Sequence, residues 1–202
     1  MKRIWIIVLS VIAVFSFAVT SQAVTDSKTF TVSASIPTAS GIAITAYKVN
    51  PTTNAFTLEP GLALNFNPLA FDSVNKIYTA AHIFAIDVAA SGGAGTPTTT
   101  LTYTEGANPN GVGHGLGWKS EAAFVKVVGA TESPMGTHPK SLLKDVSGDQ
   151  VLASEVSGGF LRVYLGLVSG NPASTPAGGE PFTNADQAGT YDGTLLVSAT
   201  VP

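Results

Sequence analysis

The sequence predicts an all-β protein, an antiparallel β-sandwich, and three observations carry that reading. Apolar residues recur with period two rather than 3.6, in eight or nine segments spaced about 10 to 20 residues apart. Glycine and proline, 21 and 12 of the 202 residues, punctuate the intervals. Helical spacing shows only around Ser141-Leu142-Leu143-Lys144. Many short strands with almost no helix fit two packed antiparallel sheets. There is no cysteine, which excludes disulfides, thiolate chemistry and cysteine-ligated zinc, so stability must come from burial and hydrogen bonding.

The first residues are read apart from the fold. Met1-Lys2-Arg3 is a basic head, Ile4 to Thr20 is an uncharged apolar run, and Ser21-Gln22-Ala23 supplies small residues at the two positions a signal peptidase reads. This is the pattern of a secretory signal peptide, residues 1–23, cleaved after Ala23. A run of about 17 apolar residues also approaches the lower limit for a membrane span, but the small-residue site follows at once and no basic stop-transfer cluster does. Cleavage removes Lys2 and Arg3 from the ten basic residues and none of the thirteen acidic ones, lowering the formal charge from −3 to about −5. With no cluster of Lys and Arg to neutralise phosphates, nucleic acid is not an expected partner. The remaining length suits a single domain.

Taken in order, the first strand is Lys28 to Ile36, KTFTVSASI, with Phe30, Val32, Ala34 and Ile36 on one face and Thr29, Thr31, Ser33 and Ser35 on the other. Pro37 and Ser40-Gly41 then break the ladder, so residues 24–37 form a segment able to leave the body of the domain at 38–202. Gly41 to Val49 sets Ile42, Ile44, Ala46 and the stem of Lys48 against Ala43, Thr45, Tyr47 and Val49, and Asn50-Pro51 turns the chain. Phe56-Thr57-Leu58, a Pro60-Gly61 turn and Leu62-Ala63-Leu64-Asn65-Phe66 read as strand, turn and strand. Lys76 to Ala90 is apolar on both faces. Its Ile, Val, Tyr and Phe content favours one long central strand over a buried helix.

Beyond the loop Ser91 to Pro97 comes the Thr-rich strand Thr98 to Thr104, and Glu105 to Gly117 is too rich in Gly, Asn and Pro for regular structure. Ala122 to Val128 is a short strand. Gly159 to Val168 is a core strand with Leu161, Val163, Leu165 and Leu167 in phase, and Gly189 to Val201 closes the chain.

Catalytic and metal chemistry finds no support in the pattern. His82 reads as a hydrogen-bonded core histidine, while His114 and His138 lie in separate loops and read as surface residues. No Gly-x-Ser-x-Gly or His-Glu-x-x-His motif is present. Gly111-Val112-Gly113-His114-Gly115 follows no apolar strand and opens no helix, so it is not a nucleotide loop. Asp145, Asp149 and Glu155 could share a calcium ion but lack the alternating spacing of a dedicated loop, and a solvated acidic loop is the simpler reading. The expectation is therefore no catalytic residue, no cofactor and no metal, and not an enzyme.

Three stretches carry a family resemblance: Phe30-Thr31-Val32-Ser33-Ala34-Ser35-Ile36 near the start, Leu62-Ala63-Leu64-Asn65-Phe66-Asn67-Pro68, and Ala188-Gly189-Thr190-Tyr191-Asp192-Gly193-Thr194-Leu195-Leu196-Val197 at the close. In this order, without cysteine, the chain resembles pilins of the chaperone-usher class, most of all the cysteine-free major subunits of colonisation-factor (alpha-type) fimbriae. The resemblance implies an immunoglobulin-like sandwich lacking its last strand. Its groove would be filled first by a periplasmic chaperone and then, at the outer-membrane usher, by the N-terminal strand of the next identical or related subunit. It implies secretion through the periplasm to a surface fimbria that serves adhesion, with a host-surface receptor as a possible partner. The donor residues would be Phe30, Val32, Ala34 and Ile36, with Phe30 and Val32 the dominant anchors. The acceptor edge would be Tyr191, Gly193, Leu195, Val197, Ala199 and Val201, with Gly193 leaving room for a bulky neighbour. The residues alone leave open that Lys28 to Ile36 pairs within its own sandwich. They also leave open a secreted monomeric sandwich binding carbohydrate or a surface protein through Trp118, Tyr103 and His114, or a secreted hydrolase of unrecognised type.

Overall fold

The computed structural model describes residues 41–61 and 63–201. The leader, the strand expected over Lys28 to Ile36 with its four donor residues, and the start of the sandwich domain at 38–40 lie outside the described residues.

Among the described residues twelve strands form, paired antiparallel throughout: β1 (Ile42–Val49), β2 (Phe56–Glu59), β3 (Leu69–Asp72), β4 (Ile77–Ala80), β5 (Ile83–Ala90), β6 (Thr98–Glu105), β7 (Ser120–Val128), β8 (Thr131–Pro134), β9 (Ser141–Leu142), β10 (Gln150–Val151), β11 (Phe160–Leu167) and β12 (Gly193–Thr200). The larger sheet runs β2-β1-β5-β11-β7-β8, with β9 also on β7; the smaller runs β10-β6-β12, and β3-β4 is a separate hairpin. The protein is an antiparallel β-sandwich.

Period two decides which side chains meet between the layers. In the large sheet the register sets Leu161 beside Val88, Val163 beside Ile86 and Leu165 beside Phe84, and all six are buried. Ala122 and Phe124 of β7 continue that face. Leu101 and Tyr103 of β6 and Leu195, Val197 and Ala199 of β12 close the core from the other layer. The intervening residues of the large sheet point outward, and there Arg162 makes a two-pronged ion pair with Asp87, 2.6 Å from Nε and 2.7 Å from Nη2. The guanidinium also lies 4.4 Å from the Phe56 ring centre and bonds Glu132.

The chain enters β12 through a tight corner. Tyr191 is fully buried and its hydroxyl donates to the Gln187 carbonyl at 2.9 Å, four residues back. That contact resembles the tyrosine corner at the start of strand F in immunoglobulin-type sandwiches. Gly189 makes the corner possible: its φ is 150°, and a Cβ there would lie 2.6 Å from Pro109 Cγ.

Four local expectations are corrected. The run Lys76 to Ala90 is strand, but it breaks at Ala81-His82 because β4 pairs with β3 while β5 joins β1 and β11. His82 therefore sits half-buried in the break, hydrogen-bonded as expected through Nε2 to the Asn65 carbonyl at 2.9 Å. Ala63 to Phe66 is not a strand, although Leu64 and Phe66 alternate into the core. The loop from Glu105 ends in a one-turn helix, α1 (Leu116–Lys119), and the expected helical turn near Ser141 is a 3₁₀ turn at Leu143–Asp145. The short strands β8, β9 and β10 in the stretch between were not foreseen.

Candidate functional site: the open edge of β12

The order β1-β5-β11-β7 in one sheet and β6-β12 in the other is that of strands A-B-E-D and C-F in an immunoglobulin sandwich, where strand G would pair with F on the side away from C. Among the described residues β12 pairs with β6 alone. Its second edge is eight residues long and contains no proline and no charged residue, GTLLVSAT. The other edge strands are blunted: β2 has four residues and runs into Pro60, β8 has four and includes Glu132 and Pro134, and β10 has two. Sandwiches commonly protect edges in these ways, and β12 is the long strand that lacks them.

The side chains along this edge alternate cleanly. Tyr191, Gly193, Leu195, Val197 and Ala199 are buried and Val201 is half-buried, whereas Thr194 and Thr200 are exposed. Across the layer, Ile42, Ile44 and Ala46 of β1 pack against the core but stay half-buried, unlike Phe84, Ile86 and Val88 on the neighbouring β5. A three-stranded layer over a wider sheet leaves that inward stripe of β1 incompletely covered by described residues. Ile42 pairs with Ala90 at the end of β5 and Thr200 with Thr98 at the start of β6, so β1 begins and β12 ends at the same end of the sandwich, around the loop 91–97.

Gly193 has a bulky neighbour, and it is Tyr103 of the same sheet. A Cβ at Gly193 would lie 2.3 Å from the Tyr103 hydroxyl oxygen. That hydroxyl donates to Glu105 at 3.0 Å, and Glu105 accepts the Gly117 amide at 3.0 Å. Burial, then the Glu105 charge, pushes the Tyr103 phenol far up, so it stays a neutral donor.

The residues suggested for ligand binding are only partly brought together. Tyr103 and Trp118 line one shallow cavity of about 560 Å³ with Glu105, Asn108 and Lys144. The Trp118 ring is already occupied by Lys144 Nζ, 4.2 Å from its centre, and His114 turns instead to Glu180 at 2.9 Å. The acidic trio does not converge: Asp145 pairs with Lys144, while Asp149 and Glu155 flank His138 at 2.7 and 3.1 Å. His138 is thus buried against Phe124, a correction to its reading as a surface residue. Burial alone would lower its pKa, but the bonds from Glu155 and Asp149 outweigh it and raise it; Glu155, bonded by the Leu152 amide, Thr137 and His138, is held down to about 2. Among the described residues no three His, Asp or Glu side chains are placed to hold a metal ion.

Two buried polar assemblies escaped the sequence reading, Arg162 with Asp87 and Lys119 with Asp186. Their members lie 75 and 67 residues apart, so no local spacing could have announced them. The chain matches no protein-family model, no curated protein and no solved structure.

Proposed function

We propose that this chain is a structural subunit of a surface fimbria, assembled by donor-strand exchange and serving adhesion, with a periplasmic chaperone, an outer-membrane usher and other copies of the same or a related subunit as its partners. The observation that carries the reading is the unblunted edge of β12 in an A-B-E-D and C-F strand order, beside the half-buried stripe Ile42, Ile44 and Ala46. The N-terminal strand of a neighbour supplies what that edge lacks: main-chain hydrogen bonds along β12 and Phe30, Val32, Ala34 and Ile36 for the space beside the core. Those four side chains contribute about 5 to 8 kcal/mol gross on burial. About eight ladder bonds add roughly 1 kcal/mol each before ordering costs.

Chain direction favours a neighbour's strand over the chain's own. The chain enters β1 at the end where β12 terminates, so its own N-terminal segment, if laid along β12 as a strand, would run parallel to it. A strand from another subunit is free to enter antiparallel, the more stable pairing per residue.

The test is Val32→Asp in cells that carry the secretion genes, read by electron microscopy and by ladders on gels of unheated samples. A carboxylate placed in an apolar groove costs several kcal/mol, which abolishes ladders while the sandwich keeps its melting temperature. Persistent ladders, or loss of the folded sandwich itself, would show that Lys28 to Ile36 is not a donor.

A further inference from the structure

Lys119, the last residue of α1, has a side chain only 3% exposed, whereas Lys48, Lys140 and Lys144, in other ion pairs among the described residues, are 43%, 37% and 26% exposed. Lysine is almost never buried so deeply unless something specific holds it. Its Nζ stands 2.7 Å from Asp186 Oδ1, whose side chain is 8% exposed. The fully buried Phe182 ring is 5.1 Å from Nζ and walls the pair from water. A third carboxylate, Glu180, reaches to 3.9 Å from Nζ. The two oxygens of Asp186 are differentiated: Oδ2 accepts the backbone amide of Thr183 at 2.6 Å, while Oδ1 faces Lys119 and Asn110.

We propose that Lys119 and Asp186 condense to an intramolecular isopeptide bond. The amine lone pair of neutral Lys119 forms the new bond to Asp186 Cγ. Charge develops on Oδ2, where the Thr183 amide already points. The bond from Cγ to Oδ1 then breaks, its electron pair going to Oδ1. Oδ1 takes two of the three hydrogens of the original ammonium and leaves as water, with Glu180 accepting and returning a proton on the way. Ammonium plus carboxylate becomes amide plus water, and no oxidant, reductant or further reactant is needed.

The site favours condensation in two ways. Fixed contact between the groups supplies an effective molarity on the order of 10⁵ to 10⁸ M, against a reaction that is uphill between free groups in water. Burial penalises two charges and leaves a neutral amide alone. Burial pushes the Asp186 carboxyl up, but the bonds from Lys119 and the Thr183 amide outweigh it and hold the group below its usual range. The reaction proceeds from the minor state in which one proton has crossed from Nζ. In a chain without cysteine, this bond ties the start of β7 in one sheet to the segment that leads into β12 in the other.

Peptide mass mapping of the purified, folded chain decides the matter, independently of the fimbrial reading. Trypsin cannot cut after an acylated Lys119, so the digest should contain the peptide 77–126 joined to 163–202, lighter than their sum by one water. The species should vanish in Lys119→Arg and form more slowly in Glu180→Gln. Recovery of 77–119 ending in free Lys119, with 163–202 unlinked, overturns the proposal, and because it needs only the wild-type protein it does so even where the variants fail to fold. Loss of ammonia within 77–126, which would join Lys119 to Asn110, overturns it equally.

Discussion

Gly193→Ala tests whether the close packing behind the β12 edge is as tight as the geometry says. The new Cβ would lie 2.3 Å from the Tyr103 hydroxyl oxygen, 2.6 Å from Cε2 and 2.7 Å from Cζ, all well inside contact distance. Gly193 carries no positive φ, so no backbone strain adds to the clash. Tyr103 has no room to retreat, because its other ring edge faces Gly117, where a Cβ would lie 2.7 Å from Cε1. Its main chain is also pinned by Ser147, whose hydroxyl accepts the Tyr103 amide at 2.9 Å and donates to the Tyr103 carbonyl at 3.0 Å. Overpacking of this kind costs about 1 to 3 kcal/mol, and the hydrogen bond to Glu105 puts roughly 1 kcal/mol more at risk. The stiffer unfolded chain returns about 0.4 to 1 kcal/mol. A net loss of about 2 kcal/mol lowers the melting temperature by roughly 4 to 8 °C in a domain of this size. Thermal melts followed by circular dichroism measure it, and Tyr103→Val should rescue most of the loss in the double variant. An unchanged melting temperature in Gly193→Ala, or strictly additive losses in the pair, would refute the packing argument.

Two other perturbations read the buried polar groups. The raised pKa of His138 means that its contribution to stability is complete below its ordinary 6.5 and is lost as pH rises through the raised value. The lowered value of Glu155, about 2, means that its contribution is complete above its ordinary 4.5 and is lost as pH falls toward 2. Both are whole between those ordinary values, so His138→Gln should flatten the alkaline decline in melting temperature, and an unaltered pH profile would remove His138 as its source. On the outer face, Asp87→Ala strands the Arg162 guanidinium at 13% side-chain exposure and should cost about 3 kcal/mol, whereas Glu132→Gln, at the more exposed end of the same network, should cost less than about 1 kcal/mol by chemical denaturation. Equal costs would show that the two carboxylates hold Arg162 alike.

Period two made the long strands readable, because β11 and β12 each alternate residues that one layer must bury, while β5 was read from its apolar, β-branched content. The same signal misled at Leu64 and Phe66, which reach the core with that alternation but lie outside any strand: the pattern reports burial and cannot report pairing. The run Lys76 to Ala90 carries no break of composition at Ala81-His82, since the break comes from a change of partner strand. Lys119 stands in Gly-Trp-Lys-Ser-Glu, a string that looks like solvated surface until Phe182 and Asp186 arrive from far along the chain. The alternation of β12 was legible from its eight residues, whereas the absence of a second described partner for it is a property of the whole topology.

The two proposals meet on β12. Under the proposed function, a donor strand bound along its edge would pass a pull on the fibre into the β12-β6 ladder, which spans Gly193 beside Glu105 to Thr200 beside Thr98. A pull along the strands loads those hydrogen bonds together, so the ladder yields only when the strand slides as a unit. The weak point then moves to where the chain enters β12, at the corner from Phe182 to Asp192. There the Tyr191 ring meets Phe182 at 5.0 Å and its hydroxyl meets the Gln187 carbonyl, contacts that hold shape but separate under extension. Asp186 lies inside that corner, seven residues before Gly193. An ion pair to Lys119 would separate there like the other contacts, whereas an amide bond fixes the corner to the first residues of β7 whatever the load. If both proposals hold, a subunit without cysteine, joined to its neighbours by one strand, would gain most from a covalent tie at this point, upstream of the strand that carries the joint.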